Sequence, residues 1–264
     1  MNDRVGWNEL PLSLRTLIEM AAGQVIRADS VADGLNCSLA ARVDTVGGGR
    51  LFLKGVRDDD LAQVAALACE DSLNEHVTGV SPPVLYRFRA EGWYCLAFGF
   101  VDGRYADLGT GSKDLGAVAA ALRGLPAVPV PGLPVPDLAE RFAGHLDRTE
   151  SASLKGRCLL HTDLNPHNIL IDGRTSAAWF LDWAMPAVGP PWVDPAYVAV
   201  RLMECGQPAG DALAWLSGFT SWRDADPLAV KAFVDGTCRA WTARIGERDA
   251  TPSNERYQAL LSGI

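Results

Sequence analysis

The stretch HTDLNPHNIL at residues 161–170 places two histidines, one aspartate and two asparagines between apolar residues. It follows the run CLL and leads into the run ILI, which is the pattern of a loop that connects two buried strands. A loop fixed at both ends can hold reactive side chains rigidly. Three interpretations are open: a group of metal ligands, a phosphoryl-transfer loop, or an ordinary turn built from Asp, Asn and Pro.

Composition narrows the class of protein. The chain has 264 residues, 48% hydrophobic and 21% charged, which is enough for one large domain or two small lobes with real cores. A net charge of −8 argues against nucleic-acid binding and tolerates a cationic small molecule. Six scattered cysteines without a C-x-x-C pair predict free thiols in a reducing compartment. We find no signal-like or membrane-length apolar run and therefore expect a cytoplasmic protein that does not bind membranes. The sequence leaves the oligomeric state, monomer or dimer, undetermined.

The first hundred residues have the periodicity of a small antiparallel sheet with one long helix. Strand-like residues 38–43 and 50–56 flank the turn VGGG and predict a hairpin. A helix is predicted over 60–77, and Pro82-Pro83 ends that region. Two further strands are predicted at 84–89 and 93–98.

The character of the chain changes after Gly99. Residues 125–136 contain five prolines and predict an extended connector. Short strands are predicted at 157–160, 168–171 and 177–181, and helices at 136–148, 194–205, 208–219 and 226–245. We therefore predict an α+β, bilobal architecture, with a small β-sheet lobe at 1–98 and a larger, mainly helical lobe at 99–264.

The central stretch has the spacing H-x-D-L-x-x-x-N, which occurs in phosphoryl-transfer loops of the kinase type. In such a loop, the carboxylate of Asp163 aligns an acceptor hydroxyl and takes its proton. Five residues later, the amide oxygen of Asn168 can bind Mg²⁺ without adding a full negative charge.

This pattern predicts three partners elsewhere in the chain. A second carboxylate should follow the next strand, and Asp182 does so in the run AWFLDW. A lysine should lie on a strand of the first lobe, and Lys54 in LFLKGV is the only lysine among the first hundred residues. A helical glutamate should orient that lysine. Glu70 fits this role, and Glu75 is the alternative.

Together these residues resemble the aminoglycoside phosphotransferase family, whose members are small-molecule relatives of protein kinases. The resemblance extends from GLNCS at 34–38 through Lys54, Glu70 and HTDLNPHN to LDW at 181–183 and GPPWVDPA at 189–196. It implies a protein-kinase-like fold, ATP or GTP as the phosphoryl donor, Mg²⁺, and a small-molecule hydroxyl as the acceptor.

Site roles follow from the resemblance by position. It implies that Asp163 is the catalytic base and that Asn168 and Asp182 are the metal ligands. It implies a phosphate-binding role for Lys54, with Glu70 as its ion-pair partner. The nucleotide is expected near Ser38 and Gly99, and His161 and Asp194 are expected to support the loop. For Asp194, a helix N-cap before Pro195 is the competing interpretation.

Two residues depart from the family pattern. Thr162 replaces the usual glycine, and Pro190 replaces the first aspartate of the late motif. The segment 34–38 also lacks G-x-G-x-x-G. These departures affect the expected contacts with the nucleotide and leave the central constellation intact.

Other functions remain open from the sequence. The resemblance implies that the acceptor is a hydroxylated antibiotic, and cationic antibiotics are among the candidates. A choline, homoserine or sugar kinase would use the same set of residues. A hydrolase with zinc bound by His161, Asp163 and His167 is a lesser alternative, since the other two histidines are not clustered with them. A non-catalytic nucleotide-binding relative is the third. The tryptophans 215, 222 and 241 are expected in the core rather than in a ligand cage.

Overall fold

The computed structural model describes residues 4–31 and 37–263. They form two compact units. The N-terminal unit contains the described chain up to Gly103, together with Asp172–Arg174 and Trp179–Ala184. The C-terminal unit contains Arg104–Ile171, Thr175–Ala178 and the described chain from Met185 onward. The boundary between residues 98 and 99 stays a prediction.

A five-stranded antiparallel sheet forms the centre of the N-terminal unit. Its strands are β1 (Val25–Ser30), β2 (Leu39–Thr45), β3 (Arg50–Arg57), β4 (Val84–Ala90) and β5 (Trp93–Gly99), in the order β1-β2-β3-β5-β4. Helix α1 (Leu12–Ala22) contributes Leu14 and Ile18 to the core on one face. Helix α2 (Leu61–Val77) contributes Leu67 to the core on the other. The sheet is therefore covered on both faces.

The remaining elements are short strands and helices, most of them in the C-terminal unit. The strands are β6 (Gly103–Tyr105), β7 (Cys158–Leu160), β8 (Ile169–Asp172), β9 (Ala178–Phe180) and β10 (Ala187–Gly189). The helices are α3 (Leu115–Gly124), α4 (Arg148–Ser153), α5 (Val193–Glu204), α6 (Ala209–Ser217), α7 (Thr220–Arg223), α8 (Pro227–Ile245) and α9 (Glu247–Ala259). Strand β7 pairs antiparallel with β10, Leu160 opposite Ala187. This pairing fixes the point at which the chain enters residues 161–168.

The α+β prediction is confirmed, including the hairpin now seen as β2 and β3. The predicted helix at 136–148 is wrong. A 3-10 helix at Leu138–Phe142 and helix α4 replace it. Gly144 between them has φ +80°, a left-handed conformation that ends a helix, and capping boxes at Asp137 and Asp147 start each piece separately.

Two bulk expectations concern cysteines and the membrane. All six cysteines are free thiols, of which Cys37 and Cys95 are buried. Burial raises the pKa of the Cys95 thiol to about 12, which keeps it protonated at neutral pH. Within residues 4–31 and 37–263, no helix has the length and apolar character needed to span a membrane.

Candidate active site

Lys54 lies near the middle of β3, between apolar neighbours. Its cross-strand partners are Ala40 on β2 and Leu96 on β5, and the residue is only 9% exposed. A buried ammonium needs nearby acceptors. Two carboxylates supply them: the Nζ of Lys54 lies 2.6 Å from Glu70 Oε2 and 2.8 Å from Asp182 Oδ1. We call these three residues the Lys54 cluster.

The helix periodicity explains why Glu70, and not Glu75, contacts Lys54. Glu70 shares the buried face of α2 with Leu67, Asn74 and Val77, at spacings of three, four and seven residues. Glu75 points away from this face: its side chain is 80% exposed and lies 3.6 Å from His76.

Asp182 reaches Lys54 from the end of β9. The amide of Phe180 donates to the carbonyl of Val80, just beyond α2, and so fixes the end of this strand in the N-terminal unit. Asp182 itself has φ +62°, an uncommon conformation for a residue with a side chain. The turn directs its carboxylate to the ammonium.

Electrostatics keep Lys54 charged. Burial alone would lower the pKa of this ammonium, but the two carboxylates outweigh that penalty and raise the pKa above its ordinary value. The cluster therefore presents a permanent, preoriented cation at any physiological pH.

The 161–168 loop in the C-terminal unit is held by one buried carboxylate. Asp194 Oδ2 accepts a hydrogen bond from the amide of His161, and Oδ1 accepts one from the amide of Thr162, both at 2.8 Å. Asp194 lies in the first turn of α5, whose N-cap is Trp192. The N-cap interpretation of Asp194 is therefore wrong.

Burial dominates the ionisation of Asp194. It raises the pKa of this carboxyl above its ordinary value, and the hydrogen bonds from the amides of His161 and Thr162 offset part of the increase. The carboxylate is 1% exposed, so its two amide partners are needed to satisfy it.

Asp163 and Asn168 contact each other directly. The Nδ2 of Asn168 donates to the backbone carbonyl of Asp163 at 2.8 Å and to its Oδ2 at 3.1 Å. Asn165 caps the short 3-10 helix Pro166–Asn168 and returns the chain toward Asp163. The side chain of Asp163 is 36% exposed, which leaves it accessible to a substrate.

The two histidines of the loop are in different environments. His161 is fully buried, and its Nδ1 accepts a hydrogen bond from the amide of Asp163 at 3.3 Å. His167 contacts the ring of Tyr105 edge-on, with 5.2 Å between the ring centroids. Neither arrangement resembles a metal ligand. Within the described parts of the chain, no three His, Cys, Asp or Glu side chains are grouped closely enough to hold a metal ion.

Sequence reasoning missed Arg201. It lies on α5, and its Nη2 is 4.0 Å from Asp163 Oδ1, while its Nη1 is 2.6 Å from Glu204. Arg201 follows Asp194 by seven residues, so both lie on one face of the helix. This spacing could have identified Arg201 from the sequence. A helix that contacts the loop through Asp194 presents the same face two turns later, at Arg201.

Asn168 in the C-terminal unit and Asp182 in the N-terminal unit each have an oxygen of the kind that a hard cation binds. Because Asn168 uses its amide nitrogen toward Asp163, its carbonyl oxygen remains for a cation. Asp182 uses Oδ1 toward Lys54 and has a second carboxylate oxygen. Amide and carboxylate oxygens are the ligands that Mg²⁺ prefers.

The predicted nucleotide-contact residues are only partly described. Ser38 directly precedes β2, and its amide donates to the carbonyl of Gly55. The amide of Gly99 donates to the carbonyl of Pro83, so this group is already used. Residues 34–36 of the predicted nucleotide loop lie outside the described residues. Of the tryptophans, Trp222 is in the core, with its ring centroid 5.9 Å from that of Trp192, and 215 and 241 are half-buried.

Comparison with protein families gives one match. Residues 132–243 match the model of the phosphotransferase enzyme family, a range that contains the 161–168 loop, Asp182, Asp194 and Arg201. No curated protein matches the chain in sequence.

Several solved structures share the fold. Choline kinase LicA from Streptococcus pneumoniae is 11% identical, with a TM-score of 0.59, over 95% of this chain and 97% of that one. The GDP complex of aminoglycoside 2'-phosphotransferase-IIIa is 18% identical, with a TM-score of 0.59, over 95% and 98%. Aminoglycoside phosphotransferase APH(3'')-Id from Streptomyces rimosus, in complex with ADP and streptomycin, is 20% identical, with a TM-score of 0.52, over 95% and 97%.

Both kinds of comparison agree with the motifs. The solved structures establish the protein-kinase-like fold, and the family match covers the segment with the H-x-D-L-x-x-x-N pattern. The family match over residues 132–243 and the shared fold support the resemblance to the aminoglycoside phosphotransferases.

Proposed function

We propose that this protein transfers the γ-phosphoryl group of ATP or GTP to a hydroxyl of a small molecule. The observation that carries the proposal is the Lys54 cluster: a buried ammonium held at 2.6 and 2.8 Å by Glu70 and Asp182. A protein that used the 161–168 loop as a plain turn would have no need for this buried charge, which costs desolvation free energy. A nucleotide phosphate is a ligand that such a cation suits.

In this proposal the residues have separate tasks. Lys54 binds the phosphates, Glu70 orients Lys54, and Ser38 and Gly99 lie along the nucleotide. Asp163 accepts the proton of the acceptor hydroxyl as the bond to phosphorus forms. His161 and Asp194 keep the backbone before Asp163 in place. Because Asp163 accepts a hydrogen bond from Asn168, its carboxylate has a fixed direction before the substrate binds.

Asn168 and Asp182 are the proposed ligands of Mg²⁺. When bound, the ion neutralises the negative charge that develops on the phosphate oxygens. Lys54 would keep its charge and hold Asp182 in position for this role. Glu70 adds the second negative charge that retains Lys54.

The acceptor we propose is a hydroxylated antibiotic, which would make the protein a cytoplasmic resistance enzyme. The relatives named above include proteins that bind streptomycin or are named for aminoglycosides. The second candidate is a metabolic small-molecule kinase, because a choline kinase shares the fold with the same TM-score as an aminoglycoside phosphotransferase.

A transfer screen tests the proposal. Purified protein is incubated with Mg²⁺ and either γ-labelled ATP or GTP, and with aminoglycosides, peptide and nucleoside antibiotics, choline, homoserine and sugars. Label transferred to an antibiotic supports the first candidate, and label transferred only to a metabolite supports the second. If no acceptor is labelled with either nucleotide, the proposal is wrong.

A further inference from the structure

Thr162 has a backbone conformation that its side chain disfavours. Its φ is +65°, in the left-handed region, which glycine adopts readily and a β-branched residue adopts rarely. Thr162 occupies the position where the aminoglycoside phosphotransferase pattern has glycine. The residue is 5% exposed, so contact with solvent does not explain the threonine.

The side chain of Thr162 makes a contact that glycine cannot make. Its Oγ1 donates to the carbonyl oxygen of Met185 at 2.5 Å. Its own amide is held by Asp194. Thr162 is therefore fixed on both its backbone and its side chain, directly before Asp163.

The carbonyl of Met185 has a second donor. Arg141 Nη2 lies 2.8 Å from the same oxygen, and Arg141 belongs to the 3-10 helix Leu138–Phe142. Met185 follows Asp182 by three residues and precedes β10 by two. One carbonyl oxygen thus joins three segments of the C-terminal unit, and both of its lone pairs are used.

We propose that the Thr162 hydroxyl is a positioning group for Asp163, which replaces the freedom of glycine with a fixed link to Met185. This inference rests on the proposed role of Asp163 as the base. The link fixes the peptide planes on either side of Thr162, and these set the direction in which the Asp163 carboxylate leaves the backbone. A glycine at this position has no side chain and cannot form this link.

Three substitutions separate the hydroxyl from the shape and the backbone. Thr162→Val keeps the branched shape and loses the hydroxyl, Thr162→Ser keeps the hydroxyl, and Thr162→Gly relieves the backbone and loses the hydroxyl. Thr237→Val is the matched control, because Thr237 is also buried and donates to the carbonyl of Phe233 inside α8.

Two measurements are made on each variant. Amide hydrogen exchange of Thr162 and Asp163 reports on the loop, with amides in α8 as the internal reference. Single-turnover transfer from Mg-nucleotide to the fastest acceptor in the screen reports on Asp163, and the Kd for nucleotide is measured alongside.

We expect Thr162→Val and Thr162→Gly to exchange these amides faster and to transfer about tenfold more slowly, the effect of one ordinary hydrogen bond. Nucleotide Kd should stay within about twofold, and Thr162→Ser should restore both readouts. Thr237→Val should change neither.

The inference is wrong if Thr162→Val exchanges like wild type, if its exchange changes while transfer does not, or if Thr162→Ser fails to rescue. If wild type labels no acceptor, the proposed function fails, and exchange alone still decides whether the hydroxyl holds the loop.

Discussion

The Lys54 cluster and the 161–168 loop hold their functional groups by different means. In the cluster, side-chain charges hold one another: an ammonium lies between two carboxylates at 2.6 and 2.8 Å. In the loop, the buried carboxylate of Asp194 holds two backbone amides, and neutral amide groups orient Asp163. The cluster should therefore depend on the balance of charge, and the loop on the number and direction of its hydrogen bonds.

The largest effect is expected at the exposed end of the loop. Replacing Asp163 with Ala removes the proposed base and should lower kcat about 10²–10⁴-fold. Nucleotide affinity should remain within about threefold, because the role proposed for Asp163 is toward the acceptor hydroxyl and not toward the phosphates. Steady-state kinetics and calorimetric nucleotide titration measure both quantities. Wild-type turnover in this variant would remove Asp163 from the mechanism.

The cluster should respond to the loss of its central charge. Lys54→Met leaves the carboxylates of Glu70 and Asp182 close together without a cation, and Glu70 is only 4% exposed. We expect the free energy of unfolding to fall by about 3–5 kcal/mol, the usual cost of breaking a buried ion pair. Urea denaturation measures the change. Lys54→Arg retains the positive charge, so its free energy of unfolding should fall clearly less than that of Lys54→Met. Equal losses in the two variants would show that packing, not charge, holds the cluster.

The loop should respond to a change that removes charge but keeps shape. In wild type, each carboxylate oxygen of Asp194 accepts a hydrogen bond from one backbone amide. Asp194→Asn keeps one of these oxygens and replaces the other with an NH₂ group, which cannot accept a hydrogen bond from the second amide. The unsatisfied donors should cost about 2 kcal/mol of stability. Exchange of the amides of His161 and Thr162 should increase with it. Wild-type protection of both amides would contradict the assigned role of Asp194.

The ionisation of Asp194 gives this comparison a pH dependence. Burial raises its pKa in the folded protein above the unfolded value, so the folded state favours the protonated form. The corresponding stability is fully present below the unfolded pKa of about 4 and is lost as pH rises through the higher folded pKa. The stability of wild type relative to Asp194→Asn should therefore increase as pH is lowered from 7 through the folded pKa. Urea titrations of both proteins across that range measure it. A difference that shrinks toward acid pH would mean that the amide bonds outweigh burial.

The smallest expected effect is at Glu75 on α2, and it is compared with the effect at Glu70 on the same helix. Glu70→Gln removes one of the two negative charges that contact the Lys54 ammonium, and it should lower the free energy of unfolding by about 1.5–3 kcal/mol. Glu75→Gln is the matched control, because its side chain is 80% exposed, and it should change stability by less than about 0.5 kcal/mol. Denaturation curves of the two variants decide the assignment. A larger loss in Glu75→Gln would reverse it.

The cluster was more accessible to sequence reasoning than the loop. Lys54 is the only lysine among the first hundred residues. Glu70 lies on the same face of α2 as Leu67, Asn74 and Val77. Periodicity encodes this buried face directly. The contacts of the loop depend on residues far away in the chain: Asp194 follows Thr162 by 32 residues and Met185 follows it by 23. The spacing of the motif identified the residues of the loop. It predicted neither the hydrogen bond from Thr162 to Met185 nor the approach of Arg201 to Asp163.

The missed elements of the fold have local causes. Strand β1 is an edge strand with several exposed residues, so it lacks the apolar alternation of β2. Helix α9 buries only Ala250 and Tyr257 and contains Pro252, which is normally a helix breaker. Each packs against a neighbouring element: β1 pairs with β2, and α9 contacts α8. Local patterns therefore predicted most strands of the N-terminal sheet and helices α2, α5, α6 and α8, but they did not predict β1 and α9, whose apolar patterns are weak.

The most direct test of the account compares wild type with Asp163→Asn in one transfer assay. Both proteins receive Mg²⁺, γ-labelled ATP or GTP, and the same panel of antibiotics and metabolites. We expect wild type to label at least one hydroxylated acceptor. We expect Asp163→Asn to label it about 10²–10⁴-fold more slowly while it binds the nucleotide normally. No label with wild type, or equal rates in the two proteins, would contradict the assignment of this loop to phosphoryl transfer.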